Sequence, residues 1–149
     1  MQPRTCLERR QHAENVFARQ HGQVWVATAR ESTPHLIPMS YAALGTRIIL
    51  CTSPSSPTGK NLAASRTVKA AFGTTDDLVL VTAEVAETYP RDEAPAEVRQ
   101  QFSGQADWDP TTTQGEFSYF VLHPSRIDVW GPQVENDGRQ VMREGEWLC

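Results

Sequence analysis

The residues with the most evident chemistry lie between Thr52 and Leu62, in the segment TSPSSPTGKNL. Its hydroxyl side chains can donate hydrogen bonds to the oxygen atoms of an anion. Ser56 is a typical helix N-cap residue, and Pro57 suits the first helical position because proline lacks the amide that would be unpaired there. The segment therefore predicts a hydroxyl-rich turn that leads into a short helix.

The start of this helix is a candidate phosphate pocket. We expect the backbone amides of Thr58, Gly59 and Lys60 to point outward, and helix-start amides carry partial positive charge. Gly59 lets a ligand oxygen approach the backbone, and the Lys60 ammonium adds a full charge. Pro54 stands where a Walker loop needs a further glycine, so that motif is excluded. Because most Ser-Pro helix starts bind nothing, the turn alone does not establish a site.

The charge distribution supports an anionic ligand near this turn. Residues 32–75 contain no Asp or Glu, although an even distribution of the 18 acidic residues would place about five there. The same stretch carries four basic residues: Arg47, Lys60, Arg66 and Lys69. Strand and turn composition could also exclude acidic residues, so the electropositive reading depends on the adjoining turn.

The positioning elements are mostly strands. Strands are predicted at 24–29, 35–43, 47–52, 68–73, 78–87 and 117–130, with turn residues between them, and the period-two alternation is clearest at 78–87. Helices are predicted near 4–20, 59–65 and 92–102, and Gly22 is expected to stop the first. We predict a mainly β fold, a six-stranded antiparallel split β-barrel with a few short helices, forming a single domain over residues 1–149. Trp25 and Trp147 are expected in its core.

Composition limits the partners and the compartment. The isoelectric point near 5.5 disfavours nucleic acid, no apolar run is long enough to span a membrane, and no secretory signal is visible. We expect a cytoplasmic protein in which Cys6, Cys51 and Cys149 are free thiols. No metal site is predicted, because His12, His21 and His123 lack partners at metal-ligand spacing.

Three segments together resemble one protein family. They are His35 to Tyr41 (HLIPMSY), Ile48 to Thr52 (IILCT) and Ser56 to Leu62 (SPTGKNL), followed by QADWDP at 105–110, RIDVW at 126–130 and MREGEWL at 142–148. This order resembles the split-barrel flavin-binding proteins related to pyridoxamine 5'-phosphate oxidase. The similarity runs from about Gln23 to the end, and is greatest to short actinobacterial-type members that bind FMN or the deazaflavin F420.

The resemblance implies a set of cofactor contacts. The cofactor phosphate would be bound by Ser56, Thr58, Lys60 and Asn61, the isoalloxazine edge would lie along Pro38, Met39, Ser40 and Tyr41, and Thr52 and Ser53 would line the ribityl chain. It also implies a homodimer, with Trp108 and Trp130 of the other subunit near the ring or substrate. Thr58 departs from the family pattern, since a basic residue often stands there. Arg47, Arg66 or Lys69 could supply the missing charge, and the sequence does not distinguish them.

The resemblance leads to two functional hypotheses. The first is an oxidoreductase in which hydride passes between bound FMN, or alternatively F420, and a small conjugated organic substrate. Its catalytic residues are unknown from sequence, and the proton could come from solvent, Tyr41 or His35. The second is a non-catalytic FMN or F420 carrier or sensor. A decayed pocket in a dimeric barrel is a third possibility, whereas pyridoxamine 5'-phosphate oxidase activity itself is not expected, because no set of pyridoxal-phosphate ligands is visible.

Overall fold

The structure, a computed structural model, describes residues 2–149. Within them the chain forms three α-helices and nine strands. The helices are α1 (Cys6–Phe17), α2 (Pro57–Ser65) and α3 (Ala96–Gln105). The strands are β1 (Gln23–Arg30), β2 (Thr33–Ser40), β3 (Ala42–Leu44), β4 (Arg47–Thr52), β5 (Thr67–Thr74), β6 (Asp77–Pro90), β7 (Ser118–Trp130), β8 (Gln140–Arg143) and β9 (Glu146–Trp147). Short 3-10 helices cover Arg91–Glu93, Pro110–Thr112 and Gln133–Glu135.

The strands form one curled antiparallel sheet in the order β2-β1-β5-β6-β7-β4-β3, with β8 and β9 added beside β7. This confirms the mainly β, antiparallel split-barrel class. The described residues form nine strands rather than six, because the run predicted at 35–43 divides at Tyr41 into β2 and β3, and the tail contributes β8 and β9. Strand β2 lies at one end of the order, where Pro34 and Pro38 remove two backbone donors from it.

The alternation along β6 is confirmed, because Val79, Val81, Ala83 and Val85 are all buried. They belong to the main core inside the curled sheet. A second core lies between α3 and the opposite face of β4 and β7, where Phe102 packs edge-on against Tyr119. The sheet is therefore covered on both faces near the end of β4, the strand that leads into the turn before α2.

Helix α1 begins at a capping box, in which the Thr5 hydroxyl accepts from the Glu8 amide and the Glu8 carboxylate accepts from the Thr5 amide. It ends at Phe17, so the prediction that Gly22 stops it is wrong. Gly22 has another function. A Cβ atom there would lie 2.8 Å from the Tyr41 hydroxyl oxygen, and only glycine allows this close approach.

Two of the three cysteines are joined. Cys6 at the start of α1 forms a disulfide with Cys149, so the prediction of free thiols is wrong for this pair. The β8–β9 hairpin folds back over α1 and brings together residues 143 positions apart, which spacing alone does not reveal. Cys51 is free and buried, and burial raises its pKa to about 12. None of the helices in residues 2–149 is long and apolar enough to cross a bilayer.

Candidate functional site

A cavity of about 490 Å³ opens where the tip of the β1–β2 hairpin meets the start of α2. It is lined by Arg30, Glu31, Thr33, Pro34 and His35 from the hairpin and by Ser55, Pro57, Lys60 and Asn61 from the turn and α2. The volume lies within the range of small-molecule sites. The predicted phosphate turn therefore does border a cavity.

The turn before α2 is fixed by its own hydrogen bonds. The Ser56 hydroxyl donates to the Ser53 carbonyl at 2.7 Å and accepts from the Gly59 amide at 3.0 Å. A Cβ atom on Gly59 would lie 2.2 Å from that same Ser53 oxygen, so glycine is required by close packing of the turn against the helix. The N-cap assignment of Ser56 and the first-turn position of Pro57 are confirmed.

These bonds change the expected set of free amides. The Gly59 amide is bound to Ser56 Oγ, and the Lys60 amide donates to the Ser56 carbonyl at 2.9 Å. The prediction that the amides of Thr58, Gly59 and Lys60 all point outward is therefore wrong for two of them. Of the three, only the Thr58 amide has no acceptor among residues 2–149.

Two side chains predicted to bind phosphate instead attach α2 to the sheet. The Thr58 hydroxyl, 2% exposed, lies 3.1 Å from His35 Nε2, and the buried Asn61 amide donates to the Thr28 hydroxyl at 3.1 Å. Thr28 and His35 are register partners on β1 and β2, so both bonds act on one strand pair. Asn61 still contributes to the cavity lining.

The hydroxyls of Thr52 and Ser53 lie in the same turn. Thr52 Oγ1 is 3.3 Å from Ser56 Oγ, and Ser53 Oγ is 2.9 Å from Ser55 Oγ. Ser55 is exposed at the cavity mouth. This part of the turn can offer hydroxyl donors to a ligand by rotating them away from one another.

The cationic side chains at the cavity are Lys60 and Arg30, both exposed. Of the three residues considered as a second cation, Arg47 pairs with Glu97 at 3.0 Å and Arg66 donates to the Val85 carbonyl at 2.6 Å. Lys69 lies on β5, outside the cavity lining. Arg30 therefore supplies the second charge, close to the carboxylate of Glu31.

The segment predicted to contact the ring lies toward the other end of β2. The β1–β2 register pairs Arg30 with Thr33 at the cavity end and Gln23 with Ser40 at the far end. There, Ser40 donates to the Asp107 carboxylate, and the buried Tyr41 hydroxyl donates to the Val16 carbonyl.

Neither of the other two residues of that segment lines the cavity. Met39 is buried in the main core, whereas Pro38 is exposed opposite Trp25. Within one chain, the structure does not bring the segment 38–41 to the phosphate turn.

The two tryptophans expected from a second subunit also lie away from the cavity. Trp130 ends β7 and is 38% exposed, with the Arg139 guanidinium 3.8 Å above its ring centroid. Trp108 packs edge-on against Phe102 and Phe117 beside α3. In one chain, both belong to other parts of the surface.

Arg30 is the cationic residue of the cavity that the sequence analysis did not identify. It falls just outside the acid-free stretch, in the polar segment RESTP, which the sequence analysis interprets as a turn between two strands. The available signal was the antiparallel pairing of β1 and β2, which brings Arg30 and His35 to the same hairpin end.

Comparison with known proteins identifies the family. A family model described as pyridoxamine 5'-phosphate oxidase matches residues 11–131, most of the chain. The protein therefore belongs to the pyridoxamine 5'-phosphate oxidase-like family of split barrels, whose members typically bind FMN or F420. Comparison with curated protein sequences gives no match.

Solved structures with a similar fold differ in what their names describe. An F420 reductase is 17% identical, with 76% of this chain and 94% of that chain covered and a TM-score of 0.59. General stress protein 26 from Bacillus anthracis is 14% identical, with 78% and 88% covered and a TM-score of 0.60. A heme-binding protein from Mycobacterium smegmatis is 20% identical, with 97% and 60% covered and a TM-score of 0.65. At these identities the similarity is one of fold.

Proposed function

We propose that the protein binds FMN with its phosphate at the start of α2, and transfers hydride between this cofactor and a small conjugated organic substrate. The observation that carries the proposal is the cavity between the Ser56-capped turn and the β1–β2 hairpin, lined by Lys60 from α2 and Arg30 from β1. Two cations suit a phosphate monoester, which is close to doubly charged at neutral pH. F420 is the alternative cofactor.

The residues present fit such a ligand in charge and in donors. Lys60 and Arg30 would hold the phosphate, the Thr58 amide and the Ser55 hydroxyl would donate to it, and Glu31 would limit the anionic charge that the site accepts. That limit favours FMN over F420, whose tail carries further carboxylates. When bound, the cofactor supplies the hydride chemistry.

His35 is the proton donor we propose among the side chains left open by the sequence. The Tyr41 hydroxyl is buried and donates to the Val16 carbonyl, which removes it from the site. His35 lines the cavity, and its Nε2 is fixed 3.1 Å from Thr58 Oγ1. A neutral imidazole has one nitrogen that donates a proton and one that accepts it, so a histidine held at this position can pass a proton to a bound substrate.

The cofactor and its position can be tested by equilibrium binding of FMN, F420 and heme to purified protein. We expect saturable FMN binding, weakened at least tenfold by Lys60→Ala and by Arg30→Ala, since each removes a charge-assisted bond worth about 1.5–3 kcal/mol. Arg47→Ala is the matched control, because this cation pairs with Glu97 away from the cavity. Equal weakening by all three variants, or binding of heme alone, would contradict the proposal.

A turnover measurement distinguishes the proposed oxidoreductase from a non-catalytic carrier or sensor. The reduction of bound flavin by NAD(P)H or dithionite is followed by its absorbance, and acceptors are then added. If the protein is an enzyme, its bound flavin is reoxidised rapidly only when a suitable organic acceptor is present. We then expect His35→Gln to slow this reoxidation more than it weakens FMN binding. Reoxidation that no acceptor accelerates would support the non-catalytic alternative.

We also propose that two copies pair through the outer face of β1 and β2. Trp25 is 50% exposed and Leu36 is 61% exposed, so the prediction of a core position for Trp25 is wrong. The register places Trp25 beside Pro38 and Ala71, and Leu36 beside Ala27, on one apolar face. Such a contiguous exposed face is typical of an interaction surface, and the family resemblance implies a second copy as its occupant.

Light scattering on a size-exclusion column measures the oligomeric state. We expect a dimer for the unchanged protein and a folded monomer for Trp25→Glu, because a charge would be buried at the centre of the contact. Leu7→Glu is the control, since Leu7 is 62% exposed on α1 and lies outside this face. A monomeric parent protein, or a dimer that Trp25→Glu leaves intact, would exclude this interface.

A further inference from the structure

The disulfide between Cys6 and Cys149 lies outside the candidate site and joins two distant parts of the sequence. Cys6 is the first residue of α1, directly after the N-cap Thr5. Cys149 follows β9 and is exposed, whereas Cys6 is partly buried against the main core. The bond is therefore open to small-molecule reagents from the Cys149 side.

Contacts that do not involve sulfur hold the two cysteines together. Arg10 Nη1 donates to the Cys149 carbonyl at 2.6 Å, and its guanidinium lies 4.8 Å from the Trp147 ring centroid. The Leu148 amide donates to the Val141 carbonyl at 2.9 Å. None of these contacts involves sulfur, so reduction of the disulfide breaks none of them directly, and we expect the two thiols to stay close enough to re-form the bond.

The surroundings also favour the reactive form of these thiols. A helix N-terminus stabilises a thiolate, and Cys6 is the first residue of α1. Cys51 is the opposite case, because it is buried in the second core and its pKa is raised to about 12. The chain thus has one cysteine pair that reaches the surface and one thiol that is buried.

We propose that Cys6 and Cys149 form a reversible redox latch that responds to small-molecule disulfides and thiols. In the closing direction, the Cys6 thiolate attacks a disulfide RSSR, releases RS⁻ and forms a mixed disulfide. Cys149 then loses its proton, attacks the Cys6 sulfur and releases the second RS⁻. The protein pair loses two electrons and two protons, and RSSR is reduced to two thiols. Excess RSH reverses both steps.

Opening the latch has a defined structural consequence. It releases the segment 147–149 from covalent attachment to α1 and removes a cross-link that spans 143 positions of the sequence. A cross-link over a loop of this length restricts the unfolded chain strongly. We expect reduction to lower Tm by about 10 °C while the fold is retained.

Equilibration in glutathione buffers of different oxidised fraction tests the latch. In Cys51→Ser protein, thiol titration should give two thiols at the reducing end and none at the oxidising end, with the Tm change following the same curve. Cys6→Ser and Cys149→Ser should each lose the redox dependence of Tm. Arg10→Gln should shift the equilibrium about fivefold toward the reduced form, because it loses the bond that holds Cys149.

Three results would overturn the latch. Two reactive thiols at the oxidising end would show that the pair does not close. Disulfide-linked dimers at the oxidising end would show that the cysteines pair between molecules. A Tm that stays the same between oxidised and reduced protein would show that closure does not strengthen the fold. Arg143→Gln, an exposed arginine outside these contacts, is the control for general charge effects.

Discussion

Thr58 and Asn61 show how one motif can serve folding and ligand binding at once. Both belong to the segment that resembles a phosphate loop, yet their side chains bond to His35 and Thr28 on the sheet. A buried polar group must find a partner, and these pairs satisfy three buried side chains, those of Thr28, Thr58 and Asn61, while orienting the start of α2. The cationic side chains that line the cavity are instead those of Lys60 and Arg30, which stay exposed.

Gly59 gives a residue-scale prediction. In Gly59→Ala, the new Cβ would approach the Ser53 carbonyl to 2.2 Å, so the turn must open. We expect a loss of about 1–3 kcal/mol in the free energy of unfolding and weaker FMN binding, measured by urea denaturation and fluorescence titration. Gly104→Ala is the matched control, since its Cβ meets no atom within 4 Å in α3. There the higher helix propensity of alanine should add about 0.5–1 kcal/mol. Equal effects at the two sites would contradict the packing argument.

Glu135 gives a second residue-scale prediction, which concerns the pH dependence of the free energy of unfolding. It is 3% exposed, and hydrogen bonds from Arg4 hold its pKa at about 2, below the usual 4.5. A carboxylate with a lowered pKa stabilises the fold above its unfolded value, and this contribution is lost as pH falls from about 4.5 to about 2. Because Arg4 is partly exposed, we expect Glu135→Gln to cost about 2 kcal/mol at pH 7.

The test compares the free energy of unfolding of Glu135→Gln with that of the unchanged protein. Urea denaturation at pH 7 and pH 2.5 should show a gap in unfolding free energy that narrows in acid. Glu144→Gln provides the comparison, because Glu144 is exposed at the turn between β8 and β9. A gap that is the same at both pH values would mean that the lost contact is not electrostatic.

At the scale of elements, Gln105 joins three of them. It is the last residue of α3, and its buried side chain donates to the Phe17 and Arg19 carbonyls and accepts from the Ala43 amide. The end of α1 therefore lacks a glycine cap and is closed by a residue 88 positions further along the chain. In Gln105→Leu, three backbone groups lose their partner, and the bonds at Phe17 and Ala43 are buried.

We expect Gln105→Leu to lower the free energy of unfolding by about 3 kcal/mol, because unpaired buried polar groups cost about 1–3 kcal/mol each and solvent repairs some of them. Gln101→Leu is the control, since Gln101 is half-buried and, among residues 2–149, its side chain makes one hydrogen bond, to the Gln105 side-chain oxygen. Chemical denaturation measures both. A loss below about 1 kcal/mol for Gln105→Leu would show that water replaces these bonds.

The same elements explain what the sequence could predict. Period-two alternation made β6 visible, and runs of strand-forming residues made β1, β4, β5 and β7 visible, since each of these strands places residues in the main core. The Ser56 cap and Pro57 were visible because capping is local. What stayed hidden depends on distant partners: the Gln105 closure of α1, the Cys6–Cys149 bond and the presence of Arg30 and Lys60 in the lining of one cavity. Trp25 was misplaced because its size suggested burial, although its strand alternation put it opposite the buried Val24 and Val26.

At the scale of the whole molecule, the proposed site and the proposed interface share a border. Pro34 lines the cavity and is on the same face of β2 as Leu36, two residues along the strand. A second copy seated on Trp25 and Leu36 would therefore stand at the cavity mouth. It would also allow residues that lie away from the cavity in one chain, such as Trp130, to approach it from the partner.

This shared border predicts that FMN binding and dimerisation are linked. If the partner copy completes the cavity, a monomer binds FMN weakly, and the apparent affinity rises with protein concentration. Trp25→Glu, which changes no cavity-lining residue, should therefore weaken FMN binding at least tenfold, and FMN should shift the unchanged protein toward dimer at dilute concentrations. Titrations at two protein concentrations, with sedimentation velocity at the same concentrations, measure both effects. Lys60→Ala should weaken binding while leaving the dimer of the ligand-free protein intact, which distinguishes loss of the phosphate contact from loss of the partner. Full FMN affinity in monomeric Trp25→Glu would show that one chain forms the whole site.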